Sequence, residues 1–485
     1  MKKHLLEITV FLCGAIVMIL ELAASRVLAP VVGTSTYVWT SIIGIILTSL
    51  SLGYWWGGKL SDKKPEIRTL AFIIFLASLS TCIVSFINPY ILVILSSLKL
   101  NIILTTILSS SLLFAPQSIL LGMVSPYAAR LSLVSINSSG KTMGRLYALS
   151  TIGSISGTFL AGFLLIPLLG TQKIIALCSL ILFLISLLTF PKDFIRGFSL
   201  LIMILFTLFI DLRGFNFIED VDSQYNRIQV SQIQNKEIGK DRVTLFVNGH
   251  PQSSVYLPEK TNAFNYVDDM DIYKQFKPKP RTALLLGGGG YVLPMKYIRD
   301  TDNLASTMDV VEIDPSITAI ARKYFGLQEE PRLSIIHEDA RIFLNNNSKK
   351  YDVVFGDVFN GKYALWHMTT KEAITKISDS LTEDGVCVIN IIASIEGPMH
   401  QFLQSEYKTF RSIFPQVYLF VGTDNYNGNS LANLILVALK SKNIPSLETS
   451  NPKLQKILKN QWKSEIKNTL PILQDDYAPV EYYCF

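Results

Sequence analysis

The hydrophobic pattern splits the chain into two unlike parts. As far as about residue 212 the apolar positions run together in long blocks. The stretches 5–29, 36–58, 69–97, 101–128, 146–169 and 172–190 are each long enough to span a bilayer as a helix. A weaker apolar stretch follows at 194–212. Beyond it the pattern becomes that of a soluble fold, with short apolar runs between polar and glycine-rich turns. Alternation at 226–231, 242–248 and 252–256 predicts a small antiparallel sheet, and 262–275 a helix. Lys277-Pro278-Lys279-Pro280 reads as a stiff linker. Four apolar strands follow in series, from 283–286 to 351–357, with helical segments between them. A helix at 369–381, a fifth strand at 385–393, a helix at 399–414 and a closing pair of strands at 417–421 and 431–439 complete the pattern.

Composition sharpens the division. Hydrophobic residues make up 49% of the chain and charged ones 17%, too apolar for a soluble protein of 485 residues, and the excess lies in the first part. A net charge of +6 without a basic run argues against a nucleic-acid partner. Cys13, Cys82, Cys178, Cys387 and Cys484 have neither metal nor redox spacing, and the five histidines are scattered. Neither a disulfide framework nor a metal site is therefore expected. Basic residues recur in alternate connections: Lys2 and Lys3, then Lys59, Lys63, Lys64 and Arg68, then Arg130, Lys141 and Arg145, then Lys192 and Arg196. The positive-inside rule places the amino terminus in the cytoplasm of a multi-pass protein of the cell membrane, with the lipid bilayer as partner. The first block is no cleaved signal, because further spans follow it. Asn88-Pro89 interrupts the third block, and 194–212 leaves six or seven spans open.

Three features of the apolar part stand out. Glu21 and Arg26 are ionisable at or near membrane depth, as a ligand contact or as a structural pair. Gly153, Gly157 and Gly162 predict a close helix-packing face. Trp55-Trp56 beside Lys59 predicts an interfacial anchor.

The chemistry concentrates between 281 and 357. The first strand runs into four glycines, Gly287, Gly288, Gly289 and Gly290. The second ends in Glu312-Ile313-Asp314, the third in Glu338-Asp339-Ala340 and the fourth in Asp357. A glycine turn followed by acids at successive strand ends describes a doubly wound sheet with a ligand over its carboxyl edge. Glu312 is placed to grip both ribose hydroxyls and Asp339 to accept from an adenine amino group. Val292 stands where a dinucleotide fingerprint needs its third glycine, and no Lys-Ser/Thr follows the turn. An adenosyl ligand of the S-adenosylmethionine type fits better than NAD or a phosphate loop. The expected fold is a multi-pass α-helical membrane bundle at 1–212 followed by a Rossmann-like, methyltransferase-type α/β domain at 281–485. A small antiparallel β-rich part at 213–280 precedes that domain.

A family resemblance follows from these motifs. Asp222-Ser223-Gln224-Tyr225-Asn226-Arg227-Ile228, Asn248-Gly249-His250-Pro251-Gln252-Ser253, the four glycines, Val311-Glu312-Ile313-Asp314-Pro315, Glu338-Asp339-Ala340 and 351–357 resemble, in order, motifs of the polyamine aminopropyltransferases. Glu21, Ser25-Arg26, Gly33-Thr34-Ser35-Thr36 and the tail from Asp475 to Glu481 resemble the membrane-embedded, fused spermidine synthase-like proteins. The resemblance implies transfer of an aminopropyl group from decarboxylated S-adenosylmethionine, a cosubstrate rather than a bound cofactor, to a small amine, releasing methylthioadenosine. It implies Asp357 as proton acceptor, and Asn226, Gln252, Gly287, Gly288, Gly289, Glu312, Asp339 and Ala340 as donor-side residues. It also implies a homodimer through the catalytic domain. Adenosyl cosubstrates are made in the cytoplasm, so the catalytic half is expected there, with 198–210 along the interface.

The departures lie on the acceptor side. Gly290 stands where the family has an aspartate, Asn360 where it has a second acid, and Val267, after Tyr266, where it has a histidine. Asp268 and Asp269 are expected to compensate in part. Two alternatives stay open: an S-adenosylmethionine-dependent transferase with a non-polyamine acceptor, and a transporter or sensor regulated by adenosyl binding.

Overall fold

The computed structural model describes residues 2–33, 35–98, 100–133, 139–189, 217–235, 239–300, 304–360, 363–422, 426–467 and 469–484. The weaker apolar stretch at 194–212 lies outside them. The chain forms two compact units, residues 1–215 with 221–227, and residues 216–220 with 228–485.

The first unit is helical. Its elements are α1 (Lys2–Val32), α2 (Thr36–Lys63), α3 (Ile67–Ser97), α4 (Ile102–Ser132), α5 (Ser139–Leu160), which continues through a wider π-helical turn into α6 (Ile166–Leu169), and α7 (Thr171–Thr189). Among the described residues six helices are long and apolar enough to cross a membrane, α5 and α6 together making one of them. Helices are the economical form for such segments, because every backbone polar group finds its partner within the segment. Pro89 does not end α3. Its missing N–H leaves the Ser85 carbonyl without its helical donor, and the Asn88 side chain donates there (3.3 Å) and to the Val84 carbonyl (2.9 Å).

Small residues set the helix spacing. A Cβ on Gly153 or Gly157 would stand 2.1 Å from the Phe11 carbonyl oxygen or 2.3 Å from that of Ala15, so α5 lies directly on α1. Gly162, expected on the same face, has open space instead. A second close crossing, of Gly53 and Gly57 on α2 against Gly122 and Met123 on α4, has no counterpart in the sequence expectations. Trp55 is exposed, with Lys59 Nζ 5.5 Å from its ring centroid. Ion pairs join Arg145 to Glu7 (3.0 Å) and Arg130 to Asp62 (3.3 Å). They bring the amino ends of α1 and α5 and the carboxyl ends of α2 and α4 to one end of the bundle. At the other end Arg26 donates to the carbonyls of Gln224 and Tyr225, and the Thr171 amide donates to Asp222 Oδ2 (2.6 Å).

The second unit is built on two principal sheets. Strands β1 (Phe217–Asp222), β2 (Arg227–Asn235), β3 (Lys240–Val247), β4 (His250–Tyr256) and β5 (Thr261–Asn262) form one in sequential order. The pairs β2–β3, β3–β4 and β4–β5 are antiparallel. Strands β6 (Thr282–Leu286), β7 (Thr307–Val311), β8 (Leu333–Ile336), β9 (Tyr351–Gly356), β12 (Leu381–Ala393), β13 (Gln416–Val421) and β14 (Ala432–Leu439) form the other. Its order is β13-β14-β12-β9-β6-β7-β8, parallel from β12 to β8 and antiparallel where β14 joins β12 and β13. A two-strand hairpin, β10 (Phe359–Asn360) with β11 (Tyr363–Ala364), follows β9. Along β6, Ala283 and Leu285 enter one core layer, and Leu284 and Leu286 the other. Both faces of the sheet are therefore covered, and its parallel strands are mainly apolar on both, as at Leu284–Leu286, Val310–Val311 and Val353–Phe355.

Local chemistry moved several boundaries. The helix expected at 262–275 begins only at Tyr266, because 261–262 pair with β4 as β5. The helix expected at 369–381 is Lys371–Asp379, started by Thr370, whose hydroxyl accepts from the Ala373 amide (3.3 Å). The helix Pro452–Lys459, started by Asn451, was not anticipated.

Candidate active site

Strand order decides where the site lies. The parallel run reverses direction between β6 and β9, and the crevice of a doubly wound sheet opens at such a reversal. The loops leaving these two strands therefore meet. The Asp357 amide donates to the Leu286 carbonyl (2.9 Å), and a Cβ on Gly287 would stand 2.3 Å from the Asp357 carbonyl oxygen. Gly287 has φ +91°, so sterics and backbone both require glycine there.

The Asp357 carboxylate is held from both sides. Tyr266 Oη donates to Oδ2 (2.9 Å), and Asn390 Nδ2 donates to Oδ1 (2.9 Å). Gly356 pairs with Ile389 across β9 and β12, which brings the next residues, Asp357 and Asn390, side by side. Burial pushes the Asp357 carboxyl up, and the two donors pull it back toward the usual carboxylate range. A cavity of about 560 Å³ opens beside it, lined among others by Gln252, Phe264, Tyr266, Asn390, Leu431 and Asn433. Asp357 is the sole carboxylate among the described residues that line it. A lone base held by two neutral donors, facing a cavity, suits proton removal from a bound nucleophile.

On the other side of the reversal, Glu312 is buried beyond the end of β7. Its Oε2 accepts from the amides of Gly288 (2.9 Å) and Gly289 (3.2 Å), and its Oε1 from that of Asp314 (3.0 Å). The carboxylate thus clamps the glycine loop and uses three of its roughly four acceptor positions. The expected grip on two ribose hydroxyls would have to share these oxygens with the loop. Burial nonetheless pushes its carboxyl up, against the pull of those amides. Asp339 caps the helix Ala340–Asn346, its Oδ1 accepting from the amides of Arg341 (2.9 Å) and Ile342 (3.1 Å). Its Oδ2 faces His367 Nε2 at 3.6 Å. Ala340 opens that helix.

The remaining residues divide. Gln252 and Tyr266 line the cavity with Asp357, whereas Asn226 lies in the β1–β2 turn, in the first compact unit. Asp268 is exposed and paired with Lys296 (2.8 Å), away from the cavity lining. Asp269 lies against Gly422, a lining residue, and its Oδ2 is buried without a hydrogen-bond partner among the described residues. Burial, then neighbouring Asp268, pushes its carboxyl up to about 7. Val267, expected to face the acceptor, is instead buried in the core. Asn360 lies in β10. Asn390 was not singled out from sequence, although it is the lone polar position in the apolar run 386–393.

Gly290 has a structural reason. A Cβ there would stand 2.6 Å from Ser253 Cβ and 3.0 Å from Ser253 Oγ, which accepts from the Gly290 amide (2.9 Å). An aspartate at 290 would have to displace β4. Gly290→Asp is therefore expected to destabilise the domain by about 1–3 kcal/mol rather than supply an acceptor carboxylate. Denaturant unfolding of the variant, beside Gly290→Asp/Ser253→Gly, which should regain most of the loss, checks this.

The second unit is similar to known proteins. Residues 270–445 match the family model described as the spermine/spermidine synthase domain. A polyamine aminopropyltransferase of Vibrio vulnificus is 32% identical over 148 residues, 30% of this chain and 47% of that protein. An N-terminal histidine N-methyltransferase of Emericella nidulans is 32% identical over 142 residues, 28% of this chain and 25% of that protein. The chain thus spans about half the length of the first relative and a quarter of the second. A crystal structure of spermidine synthase from Thermotoga maritima is 19% identical with a TM-score of 0.40, covering 54% of this chain and 83% of that one. Residues 270–445 are thus similar to the spermine/spermidine synthase domain, and among the described residues the part of the chain before them holds six long apolar helices.

Proposed function

We propose that this domain transfers an aminopropyl group from decarboxylated S-adenosylmethionine to an amine and releases methylthioadenosine. The observation that carries the reading is Asp357, held by Tyr266 and Asn390 beside the 560 Å³ cavity. The amine nitrogen attacks the propyl carbon on the sulfonium; the C–N bond forms, the C–S bond breaks, and sulfur leaves with the electron pair. Asp357 takes the proton that the nitrogen must lose. Glu312 with the glycine loop, Asp339 with Ala340, and Gln252 are assigned to the donor. Among the described residues the lining holds a single carboxylate, which favours an acceptor with one ammonium group over a diamine, whose two call for two anionic partners.

Mass-spectrometric product analysis tests this. Purified full-length protein offered either form of the donor, with several mono- and diamines, should release methylthioadenosine only from the decarboxylated form. S-adenosylhomocysteine from S-adenosylmethionine would support methyl transfer to a non-polyamine acceptor, a reading that the methyltransferase relative favours. Binding without either product would support the sensor or transporter reading.

For the membrane we propose that the amino terminus and the catalytic half share the cytoplasmic face, where the donor is made. Single cysteines at positions 2, 139 and 348, each placed in a background cleared of the native cysteines, should then all be labelled from the cytoplasmic side. Labelling at 348 from the outside only would overturn this orientation.

A further inference from the structure

Behind Asp357 lies a second, smaller cavity of about 40 Å³. Its walls are mostly apolar, with Leu286, Met368, Ile377 and Phe410 among them, but Asn390 and Glu406 also line it. Glu406, on the helix His400–Ile413, is 4% exposed, and Asn390 is 3% exposed. Asn390 spends its Nδ2 on Asp357, while its Oδ1 is buried with no hydrogen-bond partner among the described residues. Glu406 Oε2 is in the same condition. Two orphaned polar atoms on one cavity are disfavoured unless something joins them. The space exceeds the roughly 10–15 Å³ that a water needs, and the buried Thr369 hydroxyl adds a third polar group to the wall.

We propose that this cavity is a water site in which one or two waters bridge Glu406 Oε2 to Asn390 Oδ1, making Glu406 a positioning residue for Asp357. The direction of the hydrogen bonds explains why an acid would stand there. Burial holds the Glu406 carboxyl well above the usual carboxylate range, which favours the protonated form that can donate to the water. The water in turn donates to Asn390 Oδ1. That leaves the Asn390 amide one favourable orientation, with Nδ2 toward Asp357, and disfavours the flipped amide that would set Oδ1 against the carboxylate. Cys387 is a titratable neighbour of Glu406, and Tyr266 is the titratable partner of Asp357.

The test rests on the reading of Asp357 as proton acceptor, but its readouts come from unliganded protein, so failure to transfer aminopropyl groups would leave them standing. Infrared spectroscopy of the full-length protein in detergent should show a protonated carboxylic acid that persists above the pH at which exposed carboxyls ionise and is absent in Glu406→Gln. The ionisation midpoint of Asp357, assigned by the band missing in Asp357→Asn, should rise by about one unit in Glu406→Leu. Glu406→Gln, whose amide still donates to the water, should recover at least half of that shift. In an Asn390→Leu background Glu406→Leu should add nothing further. Thermal melting identifies variants that do not fold, and Glu406→Gln keeps the infrared test available if Glu406→Leu is one. Absence of the acid band, an unchanged Asp357 midpoint in Glu406→Leu, or the same shift with and without the Asn390 amide would each overturn the proposal.

Discussion

Asp357→Asn should leave donor binding intact and lower turnover by about 10²–10⁴, the usual worth of a positioned general base. The substitution keeps the size of the side chain and removes its basicity; with its oxygen toward Asn390 Nδ2, its NH₂ donates to Tyr266 Oη, whose hydroxyl turns to accept. The effect should fall on kcat, with little change in the dissociation constant for methylthioadenosine. A pH dependence follows from the same environment. Burial raises the Asp357 carboxyl, and only its ionised form can accept a proton. The rate should therefore fall as pH drops through this raised value, from a point above that of a free aspartate. The acid limb should vanish in Asp357→Asn. Stopped-time assays of product across the pH range, with calorimetry for binding, measure both. Full turnover in Asp357→Asn would make this aspartate structural and would leave the cavity without an identified base.

Glu312→Ala should weaken binding of methylthioadenosine by about 2–4 kcal/mol, roughly 30- to 700-fold. The loss has two sources, and the structure separates them. The carboxylate is an acceptor for the ligand's ribose in the proposed mode, and it already receives the amides of Gly288, Gly289 and Asp314. Removing it leaves buried donors in the glycine loop without their acceptor, so the loop should loosen even without ligand. Glu312→Gln should recover little, because its NH₂ group would face backbone N–H groups in place of an oxygen. Calorimetry of the full-length protein measures the affinity, and amide hydrogen exchange at 287–291 reports the loop. Unchanged affinity in Glu312→Ala would remove the donor assignment.

How much was legible in the chain varied with how local the physics was. The long apolar blocks had to be helices, because a bilayer leaves the backbone no other partners, and Pro89 altered only one carbonyl's donor. The glycine turn and the acids beyond β7, β8 and β9 were readable because each lies within a few residues of its strand. Val267 and Gly290 show the limit. As sequence positions both looked like lost acceptor contacts. In the fold Val267 fills the core, and Gly290 makes room for Ser253, a residue 37 positions earlier on another sheet. Asp268 and Asp269 are adjacent in sequence, yet one pairs with Lys296 at the surface and the other lies against the cavity rim.

The sequence by itself determined the division into apolar and soluble parts, the order of the main strands and the acids at their ends, since these depend on periodicity and on neighbours along the chain. The tertiary structure alone decided that Asn390 would stand beside Asp357, that Tyr266 would reach it from a helix 91 residues away, and that Glu406 would be buried behind both. Those relations come from the parallel register of β9 with β12 and from the reversal of strand order between β6 and β9. Contacts so far apart along the chain leave no periodic signal within it.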